Sequence, residues 1–195
     1  PGVTPEMWDW WFGWHGSDAS RYKLWHPQAH VDVSWKDGRD DPDHYVGRVS
    51  QVVEYVGAER MQVEIAFVSP ACFGFDEARL QRAGEVIICA EIFQRIAGLR
   101  VRVGVMAHQL RPIPGGCEMR SRFWLGGKQA RLFGIGGKFG EALGQIATLL
   151  QPVKEHQLRE LLVHDAQEMN HLAAILPELY QAFGPGQVHQ TETAA

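Results

Sequence analysis

Hydrophobic and polar positions change period along the chain, and each change predicts a different kind of element. Near the start, Met7, Trp10, Trp11 and Trp14 repeat at helical spacing, with Thr4 placed as N-cap and Pro5 at the first helical position. Gly16 ends that helix. Ser17 or Asp18 can cap a second short helix, which runs to about Trp25 and stops at Pro27. From His30 the period becomes two: His30-Val31-Asp32-Val33-Ser34-Trp35 alternates and places His30, Asp32 and Ser34 on one face. Further strands are predicted from Tyr45 to Val56, Met61 to Val68, Glu85 to Phe93, Leu99 to Arg111 and Cys117 to Leu125. Lys36 to Asp43 reads as a surface loop, and Ser69 to Arg82 as a loop with one helical turn.

Beyond the strands the helical period returns, from about Lys138 to Leu150 and again from about Val153 to Phe183. Pro152 separates these two helices, Pro177 is placed to kink the second, and Gly184-Pro185-Gly186 ends it. Residues 1–186 therefore read as one domain, followed by a polar tail from Gln187 to Ala195 that is expected to be disordered. Two short helices, about six strands with short connections and then long helices make an α+β chain with an antiparallel sheet. A curved sheet wrapping the C-terminal helix would leave a cavity suited to a small organic ligand.

The composition, 45% hydrophobic and 22% charged over 195 residues, is that of an ordinary globular chain with a sizeable core. A net charge of -4 and the lack of any basic run argue against nucleic acid or a membrane surface as partner. No apolar stretch reaches the ~18 residues of a membrane-spanning helix, and no signal peptide is seen. Cys72, Cys89 and Cys117 are odd in number and lack CxxC spacing, so they read as reduced, small buried residues of a cytoplasmic protein. The chain opens on Pro1 without a methionine, which suggests that an N-terminal piece has been removed. Seven tryptophans and nine histidines are the oddities, and Trp8, Trp10, Trp11, Trp14, His15, Trp25, His26 and His30 all fall early. So many large aromatics must press onto the main body.

Candidate chemistry begins on the last helix, where His164, Glu168 and His171 follow an i, i+4, i+7 pattern beside the apolar stripe. An imidazole and a carboxylate one turn apart make a bidentate metal clamp, although taken alone a solvated helix edge is the commoner meaning. The remaining ligands would have to come from the sheet, where His26 or His30, Glu54 or Glu64, and His108 are the candidates. Two histidines and two carboxylates suit zinc by default, with iron(II) and manganese as alternatives. Asp165 points near the centre of the apolar arc and needs a partner there. Gly134-Ile135-Gly136-Gly137 is not a nucleotide loop, because the third glycine is misplaced and no βαβ pattern surrounds it. No GxSxG elbow, HExxH motif or cysteine–histidine pairing points to another hydrolase class.

Several longer motifs resemble one family. They are Trp8-Asp9-Trp10-Trp11-Phe12-Gly13-Trp14-His15, Arg21-Tyr22-Lys23-Leu24-Trp25-His26-Pro27, Gly115-Gly116-Cys117-Glu118-Met119-Arg120-Ser121-Arg122-Phe123-Trp124 and the His164/Glu168 pair. From about Trp8 to Tyr180 the chain resembles the 2,4-diacetylphloroglucinol hydrolase family, which includes phloretin hydrolase. The resemblance implies a helix-grip (Bet v 1-like) fold and a zinc centre that cleaves the carbon–carbon bond between a phenolic ring and an acyl group. It places the metal ligands on His30, Glu54, His164 and Glu168, a histidine beside the metal at His108, and a substrate-contacting tyrosine at Tyr22. Strand context favours His30 over His26, but local spacing leaves the two open.

Phe123 stands where the family pattern implies a second substrate-contacting tyrosine, and Val33 where it implies an asparagine. The tryptophan-rich helices, Trp14 among them, would stack on the substrate ring or cover the pocket. The family's extra N-terminal region, linked to dimerisation, is largely missing here, which leaves a homodimer open. The expected activity is zinc-dependent hydrolysis of a small aromatic ketone, a carbon–carbon bond hydrolase acting on ketonic substances. A metal-free carrier of hydrophobic ligands and an iron(II) oxygenase are the alternatives.

Overall fold

The computed structural model describes residues 2–41 and 44–186; the polar tail from Gln187 and the end of the Lys36–Asp43 loop lie outside the described residues. Helix α1 (Pro5–Trp14) starts where the Thr4 hydroxyl accepts from the Met7 amide at 3.3 Å. It buries Trp8, Trp11, Phe12 and Trp14. A 3₁₀ turn, His15–Ser17, leads into α2 (Ala19–Trp25), which Asp18 caps by accepting from Ser20 N at 2.7 Å. The turn needs Gly16, because a Cβ there would stand 2.4 Å from Cζ2 of Trp35.

The sheet comprises β1 (His30–Trp35), β2 (Val49–Val56), β3 (Glu59–Val68), β4 (Val86–Ile96), β5 (Leu99–Ile113) and β6 (Gly116–Leu125), paired in that order. Every pairing is antiparallel. A seventh strand, β7 (Arg131–Leu132), adds to the start of β5 and was too short for periodicity to reveal. Strand β2 begins at Val49 rather than at Tyr45, since Tyr45 to Arg48 is a turn closed by Arg48 N to Tyr45 O at 2.9 Å. The loop after β3 holds more helix than one turn. Helix α3 (Glu77–Ala83) is capped by Asp76 and ended by Gly84 at φ 64.

Helix α4 (Gly137–Leu150) precedes α5 (Glu155–Phe183), which continues through Pro177. The sheet curves around α5, giving the helix-grip arrangement. The fully buried side chains include Trp11 and Phe12 of α1, Ile88 and Leu110 of the sheet, and Leu172 and Leu176 of α5. Burying each large apolar side chain contributes roughly 1.5–3 kcal/mol. The aromatic helix is thus a layer of the core rather than an appendage. It is wedged between sheet and α5, with Trp10 edge-on to Tyr180 at 5.3 Å.

The N-terminal half of α5 departs from the apolar stripe. Leu158 and Leu162 are exposed, whereas His164, Asp165 and Glu168 occupy the buried face above Met169, Leu172 and Leu176. The polar residues therefore lie on the core-facing line of the helix and not along its edge. The three cysteines are free, but Cys72 is exposed, contrary to the expectation that all three are buried. Among the described residues no helix is long and apolar enough to cross a membrane.

Candidate metal centre

The register of β1 and β2 sets His30 opposite Glu54. Strict alternation would keep His30 on the face of Asp32 and Ser34, but the register shifts between His30 and Asp32. This bulge turns His30 into the protein while Asp32 and Ser34 stay exposed, which corrects the shared polar face expected from the pattern. His30 Nδ1 meets the Tyr22 carbonyl oxygen at 3.0 Å. A carbonyl only accepts, so Nδ1 carries the proton and Nε2 keeps its lone pair. His164 turns its own Nε2 toward the same place, 3.6 Å from Glu168 Oε2.

Two carboxylates complete the cluster. Glu168 Oε2 lies 3.2 Å from His30 Nε2 and 3.6 Å from His164 Nε2. Glu54 Oε2 lies 3.7 Å and 3.9 Å from the same two nitrogens and accepts a 2.5 Å hydrogen bond from the Tyr22 hydroxyl. Burial pulls the His30 pKa down to about 2 and that of His164 to about 4, so both imidazoles are neutral at pH 7. Burial raises Glu54 against the hydrogen bond from Tyr22. Burial, and then the charges of Glu54 and Asp165, raise Glu168 well above the ordinary carboxylate range.

Lone pairs and carboxylates thus meet, among the described residues, without a protein cation between them and with His30 Nε2 buried and lacking a hydrogen-bond partner. That arrangement is unfavourable unless a cation or protons enter it. One donor atom from each of His30, His164 and Glu168 lies within 4.8 Å of the others, so these three residues could hold a metal ion. Donors held ~2.0–2.1 Å from a tetrahedral zinc stand roughly 3.3 Å apart. The four imidazole–carboxylate separations of 3.2–3.9 Å bracket that value, while Glu54 falls outside the group of three whose donor atoms all lie within 4.8 Å of one another. The donor set fits a borderline metal such as zinc.

The cluster opens into a cavity of about 870 Å³ between sheet and α5. Tyr22, Glu54, His108, Phe123, His164 and Glu168 line it. His108 and Phe123 project from the inner face of β5 and β6, with ring centroids 5.8 Å apart. Burial pulls the His108 pKa down to about 4.

Other candidates lie elsewhere. Trp14 does not line this cavity: it stacks on Trp10 at 5.0 Å and Phe183 at 5.3 Å, beneath the Arg21 guanidinium. Val33 is packed in the core and does not line the cavity either. His26 is half-buried, stacked on His164 at 5.1 Å, with Nε2 3.4 Å from Gln167 Oε1. His171, the third member of the helix pattern, is exposed, and Glu64 is held by Lys36 and Arg100. No pattern marks His15, yet it lines the cavity and stacks on Tyr22 with centroids 5.8 Å apart.

A family model described as the DAPG hydrolase PhiG domain matches residues 1–181. The chain belongs to this family. It is 34% identical to a 2,4-diacetylphloroglucinol hydrolase of a Pseudomonas species, over 94% of this chain and 65% of that protein. The corresponding protein of Pseudomonas protegens is also 34% identical, over 94% and 62%. The phloretin hydrolase of Eubacterium ramulus is 32% identical, over 92% and 64%. The chain therefore spans somewhat less than two thirds of the length of these curated relatives. A solved structure, that of Ara h 8.0201, aligns over 91% of this chain and 92% of its own, at 11% identity and a TM-score of 0.48.

Proposed function

We propose that this chain is a zinc-dependent hydrolase that cleaves the carbon–carbon bond joining a phenolic, phloroglucinol-like ring to an acyl group. The observation that carries the reading is the convergence of two neutral imidazole nitrogens and the Glu168 carboxylate at a ligand-sized cavity, with the Glu54 carboxylate within 3.9 Å of both imidazoles. The hydrolases among the relatives, named for diacetylphloroglucinol and phloretin, supply the substrate class. His30, Glu54, His164 and Glu168 would hold the metal, whose Lewis acidity would polarise an acyl carbonyl and bring the pKa of a bound water toward ~7.

The chain's own groups do the rest. The Tyr22 hydroxyl proton is committed to Glu54, which leaves its oxygen to accept from a substrate hydroxyl. His108 presents a neutral imidazole to the cavity and moves the protons. The ring carbon bearing the acyl group gains a proton as the phenol takes its keto form. Water oxygen then adds to the acyl carbon, and its proton leaves. The bond from acyl carbon to ring carbon breaks, its electron pair returns to the ring as a phenolate, and the acyl group departs as a carboxylic acid. Phe123 offers this substrate an aromatic edge and no hydroxyl.

The test is metal analysis of freshly purified protein together with an anaerobic assay on a panel of acylphloroglucinols. Stoichiometric zinc and oxygen-independent release of the carboxylic acid are expected. His108→Ala should keep its metal and lose most turnover. Full turnover by metal-free protein would end the proposal, and a strict need for oxygen would replace hydrolysis with oxygenation.

A further inference from the structure

Three polar side chains in the wall of the main cavity take no part in the metal cluster. Ser50 is 2% exposed and Trp25 is 7% exposed, and both line the cavity. Neither Ser50 Oγ nor Trp25 Nε1 has a hydrogen-bond partner among the described residues. The third is His15, whose Nδ1 lies 2.7 Å from the Trp11 carbonyl oxygen. A carbonyl only accepts, so Nδ1 carries the proton, and burial keeps the ring neutral by pulling its pKa down to about 4. Nε2 is left with an uncommitted lone pair on a residue of the cavity wall. The three are neighbours. The Trp25 ring stands edge-on to His15 with centroids 5.1 Å apart. Ser50 pairs across the strands with Trp35, whose ring lies against Gly16, the residue after His15.

Strand β2 sets their place relative to the metal cluster. Ser50, Val52 and Glu54 alternate onto one face, so Ser50 stands about 13 Å from Glu54 along the strand. In the other direction the cavity runs out to Glu59, Arg60, Gln151 and Val153, all exposed, where it opens. The Ser50 end is closed by the buried rings of Phe12 and Phe67. We infer that this closed end is a subsite for the hydroxyl groups of the substrate ring, with Ser50 and Trp25 donating and His15 accepting. The inference rests on the proposed hydrolysis of an acylated phenolic ring and assigns that ring's hydroxyls a place. A phenolic hydroxyl both donates and accepts, so it satisfies a lone pair and an N–H alike, whereas a bare ring edge leaves them unpaired in a closed pocket. The ring then lies inward, its acyl carbonyl at the metal cluster and the rest of the acyl chain toward the mouth. Ring hydroxylation is selected strictly and acyl length loosely.

The experiment measures binding to the zinc-loaded full chain by calorimetry, with three rings that carry no acyl group: phloroglucinol, resorcinol and phenol. Affinity should fall by roughly tenfold with each hydroxyl removed. Ser50→Ala and His15→Phe should each weaken phloroglucinol binding by roughly 5–100-fold and phenol binding far less, so that the loss belongs to the pairing of residue with ring hydroxyl. Ser50→Ala removes a buried hydroxyl that has no partner among the described residues. Denaturant unfolding should therefore find this variant at least as stable as the parent. A serine that served only the fold would give the reverse, lower stability with unchanged binding.

A parent chain that binds the three rings alike, or binds none of them, would overturn the inference, as would Ser50→Ala binding phloroglucinol at the parent affinity. Calorimetry needs no turnover. Selection among the rings by a chain that releases no carboxylic acid would remove the proposed reaction and leave the subsite standing. Hydrolysis by a chain indifferent to ring hydroxyls would do the opposite.

Discussion

Glu54 and Glu64 sit on neighbouring strands and on opposite faces of one sheet, since Glu54 pairs with Met61 while Glu64 pairs with Gln51. Their surroundings are inverted. Glu64 Oε1 lies 3.0 Å from Lys36 Nζ and its Oε2 lies 2.6 Å from Arg100 Nε. Burial works to raise its pKa, but Lys36 and Arg100 together overcome this and hold it low. Among the described residues Glu54 has no cation within reach, only the Tyr22 hydroxyl and two neutral imidazoles, and burial raises its pKa. A carboxylate partnered by protein cations is finished as structure. One facing lone pairs is finished only when something positive arrives.

The largest effect that can break this comparison comes from neutralising each glutamate in turn. Glu54→Gln should abolish retention of stoichiometric metal and with it turnover. Glu64→Gln should keep both, at a stability cost of roughly 1–3 kcal/mol for leaving two partners unpaired. Metal analysis, steady-state rates and denaturant unfolding of the two variants check this. A metal-replete, active Glu54→Gln would show that the contrast between the two glutamates is not functional.

How much of this was legible in the sequence depended on whether local spacing or long-range register set the position. His164 and Glu168 were legible because i and i+4 on a helix share a face whatever the rest of the chain does. The strands were legible from period two, and Thr4, Asp18 and Gly184 marked helix ends through cap chemistry. The inward turn of His30 was not, because it rests on a bulge that alternation cannot encode. His15 carries no periodic signal and gains its meaning from stacking between Trp11 and Tyr22. At the N-terminal end of α5, Leu158 and Leu161 line the cavity beside His164, Asp165 and Glu168, while Leu162 is exposed, so apolar and polar residues share one face. Asp165 looked out of place on an apolar arc for the same reason: the arc faces a cavity there.

A smaller effect sharpens the comparison from the side of the imidazoles. His15 is buried between aromatic rings, with Nδ1 2.7 Å from the Trp11 carbonyl oxygen, and burial pulls its pKa down to about 4. Burial does the same to His108. Between pH 6.5 and about 4 the unfolded chain binds more protons at these residues than the folded one. Their neutrality therefore costs nothing above pH 6.5, and stability falls as pH drops through that window, by up to roughly 3 kcal/mol per histidine. Denaturant unfolding at several pH values should show this loss. His15→Phe, which keeps the aromatic contacts and removes the proton site, should make it shallower. An unchanged slope in His15→Phe would mean that this imidazole is not held neutral by the aromatic layer.

The smallest of the three effects separates a ligand from what holds it. The Tyr22 hydroxyl donates to Glu54, its one hydrogen-bond donor among the described residues, while the Tyr22 carbonyl accepts from His30 Nδ1. One residue thus orients two of the four groups, the carboxylate through its side chain and the imidazole through its backbone. Tyr22→Phe removes only the first of these, and the ring that stacks on His30 at 3.8 Å is kept. Metal binding should weaken by about 10–100-fold, the usual cost of losing a group that orients a ligand, or roughly 1.4–2.7 kcal/mol. Competition with a chelator of known affinity measures it. A loss as complete as that of Glu54→Gln would make the tyrosine inseparable from the ligand set. No loss at all would mean that Glu54 is oriented by the strand alone, leaving the Tyr22 hydroxyl to the substrate.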